Sequence, residues 1–246
     1  MTTGLAWLDP ATDQPFPDPE QALDDPPGLL AIGGDLSPKR LRRAYRHGIF
    51  PWNSASQPIL WWSPDPRTVL FPERIKISRS LRKTLNKRQL TVTMDQAFSA
   101  VIHCCGLPRK SDHGTWLTPE MRRAYIRFHD LGYAHSVETW RDRELVGGLY
   151  GVALGRVFYG ESMFSQVTDA SKIALVHLCL QLRRWSFAVI DCQMYTAHLL
   201  SLGAEPMPRR DFLALLDQHC DATTEPGRWR LDLDLLNTLT PAHASV

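Results

Sequence analysis

Residues 133–165 read "YAHSVETWRDRELVGGLYGVALGRVFYGESMFS". They hold three runs of strand character, "YAHSVETW", "ELVGGLYGVAL" and "RVFYGESMFS", separated only by "RDR" and "G". Links that short turn the chain straight back on itself, so the runs predict an antiparallel meander. Downstream, the periodicity predicts a helix over Ala170–Trp185 with Asp169 as its cap, then a strand in "FAVIDCQM" and a helix ending near Gly203. Upstream, the pattern predicts a strand near Thr68, a helix over 79–87, a strand over Leu90–Thr93 and a helix over Asp95–Cys105. A loop, "GLPRKSDHGTW", then leads to a helix that Thr118 caps, with Pro119 in its first turn and Gly132 at its end. The fold class is α+β with a mostly antiparallel sheet.

Residues before about 62 have a different texture, rich in Pro, Gly and Asp with only short helical signals. We place a boundary there: a small N-terminal domain over 1–62 and a larger domain over 63–246. At 246 residues and 43% hydrophobic composition the chain buries a core without staples. No apolar run approaches the ~20 residues of a membrane span, and the N-terminus lacks a basic start and an apolar h-region. A cytoplasmic, monomeric protein with no membrane partner is expected. The cysteines, Cys104, Cys105, Cys179, Cys192 and Cys220, are odd in number and form no C-x-x-C, which suits reduced thiols rather than a disulfide framework or a metal site. No metal and no cofactor are expected.

A net charge of +2 does not announce a nucleic-acid binder, but the charge is unevenly placed. In "DLSPKRLRRAYRHGIF", Ser37 caps, Pro38 suits the first turn and Gly48 stops a short helix. Leu41, Ala44 and Tyr45 face inward there, leaving Lys39, Arg40, Arg42, Arg43 and Arg46 mostly outward. In "ERIKISRSLRKTLNKRQ", Leu81 and Leu85 face inward while Arg79, Arg82, Lys83, Lys87 and Arg88 are displayed. Either run alone reads as a solvated face. Between them, "HGIFPWNSASQPILWWSPDPR" sets Trp52, Trp61 and Trp62 on a proline-stiffened connection. Cations suit phosphates and indoles suit bases, each stacked base being worth roughly 1–3 kcal/mol.

The order of two helices, three meander strands, a long helix and another strand resembles the acetyltransferase (GNAT-like) arrangement. The turn that would cradle a pyrophosphate on glycine-spaced amides reads "GESMFSQVTDASKIAL" here, with no such glycines. Nor is there a phosphate-binding G-x-x-x-x-G-K-[ST] or a spaced metal set. Instead Glu161 sits in that turn, and the next strand carries Asp191 and Gln193. Two residues apart, these are expected to point to one face. They read either as a satisfied buried pair or, with Glu161, as a cluster that orients an amine or attracts a cation.

Taken together, "GLLAIGGDLSPKRLRRAYRHGIFPW", "ILWWSPDPR", "HGTWLTPEM", "ELVGGLYGV", "GESMFS" and "IDCQM" resemble, in order and from about Pro15 to Asp211, the leucyl/phenylalanyl-tRNA–protein transferases. The resemblance implies transfer of Leu, Phe or, less well, Met from aminoacyl-tRNA to the N-terminal Lys or Arg of a protein, making a destabilising N-terminus for proteolysis. It implies that Trp52 and Trp116 hold the 3′-terminal adenosine, leaving Trp61 and Trp62 to packing between lobes. It implies an apolar aminoacyl pocket at Leu149, Met163, Leu175, Leu178 and Leu182. Some family members carry aromatics at the last two positions and Met at the first, so a roomier pocket favouring Phe over Leu is expected here. The basic residues Arg42, Arg79, Arg82, Lys83, Lys87 and Arg88 are expected to meet the tRNA backbone.

An aminoacyl ester is already activated, so orientation does much of the chemistry. Asp191 with Gln193 is expected to position and deprotonate the acceptor amine, and Glu161 to shape the acceptor or adenosine side. The proton has a second route, through the 3′-terminal ribose hydroxyl. Two other readings fit parts of the pattern: a CoA-dependent N-acetyltransferase and a non-catalytic RNA-binding module.

Overall fold

The computed structural model describes residues 5–108, 117–222 and 227–239. Its first part is built around a sheet that the proline-rich texture conceals. Strands β1 (Ala6–Leu8) and β2 (Leu29–Gly33) are followed by helix α1 (Pro38–Arg46) and strands β3 (Phe50–Pro51) and β4 (Leu60–Trp62), in sheet order β1-β2-β4-β3. Helix α1 forms as expected: the Ser37 hydroxyl accepts from the Arg40 N–H, Pro38 opens the first turn, and Gly48 takes a φ of +69° after it.

The second sheet begins with β5 (Arg67–Leu70). Helix α2 (Arg79–Lys87), strand β6 (Thr91–Met94) and helices α3 (Phe98–Cys105) and α4 (Pro119–Asp130) lead into the meander of β7 (Ala134–Arg141), β8 (Glu144–Leu154) and β9 (Val157–Ser165). Helix α5 (Ala170–Arg184), strand β10 (Val189–Gln193), helix α6 (Ala197–Ser201), strand β11 (Glu205–Met207) and helix α7 (Arg209–His219) complete it. The seven strands run β11-β5-β10-β9-β8-β7-β6, and only β9 and β10 pair in parallel. The α+β class and the mostly antiparallel sheet are those the meander predicts.

Two apolar cores flank this sheet. One joins Leu8, Tyr45 and Trp61 of the N-terminal part to Tyr125, Tyr159 and Phe212, so the two sheets are packed through a shared interior. The other gathers α5 and the inner residues of α2, Leu81 and Leu85, against Leu149 and Phe158. Helix α5 is buried on nearly all sides because the sheet covers one flank and the C-terminal segment, with buried Leu235, covers another.

Two start signals are corrected. Helix α3 begins at Phe98 rather than Asp95: Asp95 adopts φ +53° and its carboxylate accepts from the Ser136 N–H across the sheet. Asp169 precedes α5 in the left-handed region and makes no cap bond, and its carboxylate pairs with Lys172 at 2.9 Å.

Arg67, 1% exposed, and Asp191, 0% exposed, form a two-pronged ion pair with Nε–Oδ1 2.8 Å and Nη2–Oδ2 2.7 Å. Arg67 also donates to the Gly48 carbonyl at 3.0 Å and lies over the rings of Phe50 and Phe212. Removing one partner leaves an uncompensated buried charge. Arg67→Leu is therefore expected to cost about 3–5 kcal/mol in urea unfolding, with most of the loss recovered when Asp191 is also made apolar.

Candidate functional site

Strands β9 and β10 pair through Val157–Tyr159 and Val189–Asp191, then part. Strand β9 continues against β8 as far as Ser165, whereas β10 bulges at Cys192 and Gln193 turns out with φ +60°. The parting opens a cavity of about 590 Å³ whose wall includes Trp52, Leu149, Phe158, Glu161, Leu178 and Gln193. That volume lies within the range of small-ligand sites.

One corner of the cavity is polar. The Gln193 amide donates to Glu161 Oε1 at 2.9 Å, and the hydroxyls of Tyr45 and Tyr125 donate to Oε1 and Oε2 at 2.7 and 2.9 Å. The two hydroxyls lie 2.6 Å apart. Tyr45 comes from α1, Tyr125 from α4, Glu161 from β9 and Gln193 from the end of β10, so four elements converge on one carboxyl. Removal from water pushes the Glu161 carboxyl up to about 7; hydrogen bonds from Tyr45 and Tyr125 oppose the rise, and the charge of Asp191 adds to it.

Asp191 does not share the cavity wall with Gln193, which corrects the expectation drawn from their spacing. The bulge breaks the two-residue alternation, and the Asp191 carboxylate is turned inward to Arg67. Its second task is local: Oδ1 accepts from the Gln193 N–H at 2.8 Å and so fixes the turn that delivers the Gln193 amide to Glu161. Arg67, Tyr45 and Tyr125 were not singled out for this site from sequence. Tyr45 and Tyr125 carried only a core-facing signal, and Arg67 only the oddity of a cation opening an apolar strand.

The apolar wall includes Leu149, Met163, Leu175 and Leu178, but not Leu182, which the helical stripe carries past the cavity into the core beside α5. Trp52 is 42% exposed at the mouth. Trp62 braces it, donating from its indole to the Trp52 carbonyl at 2.7 Å with the rings edge to face at 5.7 Å. Trp61 is 0% exposed, bonded to the Gly33 carbonyl and packed on Phe16. Trp116 lies outside the described residues.

The basic helices differ from one another. On α1, Lys39 and Arg43 pair with Asp13, Arg46 pairs with Asp217 and Asp221, and Arg40 is buried against Asp35, which corrects the expectation of an outward cationic face. Arg42 rests on the Tyr133 ring and lines a different cavity. On α2, Arg79, Lys83 and Lys87 and the following Arg88 are exposed and Arg82 is half-buried, and among the described residues no ion pair involves any of them. Among the described residues no cysteine is in a disulfide, and no helix is long and apolar enough to cross a membrane.

The raised Glu161 pKa has a consequence for stability. The folded chain holds a proton that the unfolded chain releases near 4.5, so this contribution is fully present below about 4.5 and lost as pH rises through about 7. Wild-type protein is expected to gain stability over Glu161→Gln on going from about pH 8 to about pH 5. Urea unfolding of both at the two pH values checks this; parallel pH dependence would place the Glu161 carboxyl near its ordinary pKa.

A sequence profile described as leucyl/phenylalanyl-tRNA protein transferase matches residues 69–217, and one for the N-terminal domain of the same family matches residues 34–65. The leucyl/phenylalanyl-tRNA–protein transferase of Aromatoleum aromaticum is 60% identical over 225 residues, covering 92% of this chain and 94% of that one. Its counterpart in Methylococcus capsulatus is 55% identical over 227 residues, covering 92% and 97%. A GCN5-related N-acetyltransferase from Kribbella flavida superposes over 67% of this chain and 58% of that one with 11% identity and a TM-score of 0.35, too slight a likeness to bear on activity. With a profile spanning more than half of its residues and relatives alike along nearly its whole length, this chain belongs to the leucyl/phenylalanyl-tRNA–protein transferase family.

Proposed function

We propose that the protein transfers Leu or Phe, and less well Met, from aminoacyl-tRNA to the N-terminal Lys or Arg of acceptor proteins, forming a peptide bond and marking them for proteolysis. The observation that carries this reading is one cavity in which an apolar wall, an exposed indole and a half-buried carboxyl meet. The aminoacyl side chain enters against Leu149, Met163, Leu175 and Leu178, and the 3′-terminal adenosine stacks on Trp52. The acceptor amine lies at Glu161 and Gln193.

The amine nitrogen attacks the ester carbonyl carbon, the tetrahedral intermediate collapses, and the ester C–O bond breaks with the 3′-oxygen leaving as a hydroxyl. A carboxyl poised at about 7 is half ionised near neutrality, which suits it to take the amine proton and hand it on to the leaving oxygen. Three of its lone-pair sites are filled by Tyr45, Tyr125 and Gln193, leaving one for the amine. Asp191 acts through Gln193 rather than on the substrate. This replaces the sequence-based assignment of the proton to Asp191. The tRNA body is taken by the exposed cations of α2.

The deciding assay supplies labelled Phe-tRNA, labelled acetyl-CoA and an Arg-starting peptide. Label is expected to reach the peptide from Phe-tRNA. Label from acetyl-CoA would favour an N-acetyltransferase, and RNA binding with no labelled peptide would favour a non-catalytic module. Leu178→Trp narrows the cavity and is expected to reduce Phe transfer roughly tenfold more than Leu transfer. Initial rates with matched aminoacyl-tRNAs check it; equal losses would remove this face of α5 from the specificity pocket.

Reversing charge at Arg82 and Lys83 is expected to weaken tRNA binding and lower the log–log salt slope by roughly two. Titrations at two ionic strengths check it. Unchanged affinity would make α2 a solvated face only.

A further inference from the structure

Trp229, in the C-terminal tail, is held from several sides. Its ring stacks on His135 with centroids 3.8 Å apart and planes within 5°, meets Trp185 edge to face at 5.0 Å, and lies 5.8 Å from Phe158. The Trp229 backbone N–H donates to Asp95 Oδ2 at 2.6 Å, the same oxygen that lies 2.8 Å from His135 Nδ1. Further along the tail, the Asp232 N–H donates to the Gln181 side chain at 2.8 Å, and Asp232 and Asp234 pair with Arg184 at 2.8 and 2.7 Å. The tail is thus strapped to α5 and the sheet, with the Trp229 ring against His135, Trp185 and Phe158.

Phe158 connects this strap to the cavity. It is 1% exposed and forms part of the cavity wall. Its tip lies close against Gly151, where an added Cβ would come within 2.5 Å of the Phe158 Cζ. The ring therefore occupies a slot bounded by the bare backbone of Gly151 and by the indole of Trp229. A close-packed ring cannot move toward Trp229 while the indole is there, and would relax into the space if it were removed.

We infer that Trp229 is a positioning residue for side-chain selection: by backing Phe158 it fixes the depth of the aminoacyl cavity, so specificity depends on a tail beyond the residues that the family profile matches. The inference rests on the aminoacyl reading of the cavity. Removing the indole lets Phe158 retreat and deepens the pocket. A Leu side chain then loses contact with its floor, whereas the longer Phe side chain follows it.

The test measures kcat/KM for Leu-tRNA and Phe-tRNA with an Arg-starting peptide. Trp229→Ala is expected to lower Leu transfer roughly tenfold more than Phe transfer, while affinity for deacylated tRNA stays at the wild-type value. Phe158→Leu is expected to move the Leu-to-Phe ratio by itself, and adding Trp229→Ala to it to move the ratio no further. If the alanine variant does not fold, Trp229→Leu, which keeps an apolar group in the slot, carries the same comparison. An unmoved ratio in a folded Trp229 variant overturns the inference while wild-type transfer stands. A wild-type protein that transfers neither amino acid removes the functional reading and this inference with it.

Discussion

The Arg67–Asp191 pair is the contact on which the arrangement of the site depends. Two ions with almost no solvent exposure gain little net stability over apolar residues of the same size, because desolvating each costs several kcal/mol. What the pair supplies is position. Arg67 starts β5 and also holds the Gly48 carbonyl and the rings of Phe50 and Phe212, so it ties the N-terminal sheet and α7 to the strand beside β10. Asp191 answers from β10 and takes the Gln193 N–H, so the same carboxylate that closes the core also sets the turn at the cavity. A neutral pair would fill the space without specifying the two-pronged geometry.

The parting of β9 from β10 follows from that turn. Beyond Asp191, β10 keeps its pairing with β5 but not with β9, so β9 has no parallel neighbour beyond Tyr159 and Glu161 stands beside an open space on that flank. Its carboxyl is still half-buried, and three donors from α1, α4 and β10 keep it in place. A half-satisfied polar group there would be costly, and this network is satisfied by the protein while leaving a free position toward the cavity. Trp52 is fixed similarly: Trp62 holds its carbonyl and its ring edge, so an exposed indole is presented in one orientation.

The opposite wall of the cavity is governed from farther away. Helix α5 supplies Leu175 and Leu178, yet its burial depends on residues after 227, which bond to Gln181 and Arg184 and place Trp229 behind Phe158. The charge distribution shows the same reliance on distant partners. Five cations on α1 look mostly outward in sequence, but four of them are matched by Asp13, Asp35, Asp217 and Asp221, drawn from both ends of the chain.

What the sequence by itself determined was local. The short links of the meander forced antiparallel neighbours, Ser37 and Thr118 marked true helix starts, and the resemblance to the family picked out Leu149, Met163, Leu175 and Leu178, which line the cavity. The N-terminal sheet was hidden because its strands are two to five residues long and owe their order to pairing between distant segments rather than to periodicity. The roles of Asp191 and Gln193 were decided only in three dimensions. Strand alternation put them on one face, and a single bulge sent one side chain to Arg67, 124 positions away in the chain, and the other to Glu161. Asp169 failed as a cap and Asp95 as a helix start for the same reason: each carboxylate had another partner, Lys172 for one and the Ser136 N–H for the other. Spacing fixes where a side chain points within its own element, and only packing decides which groups it meets.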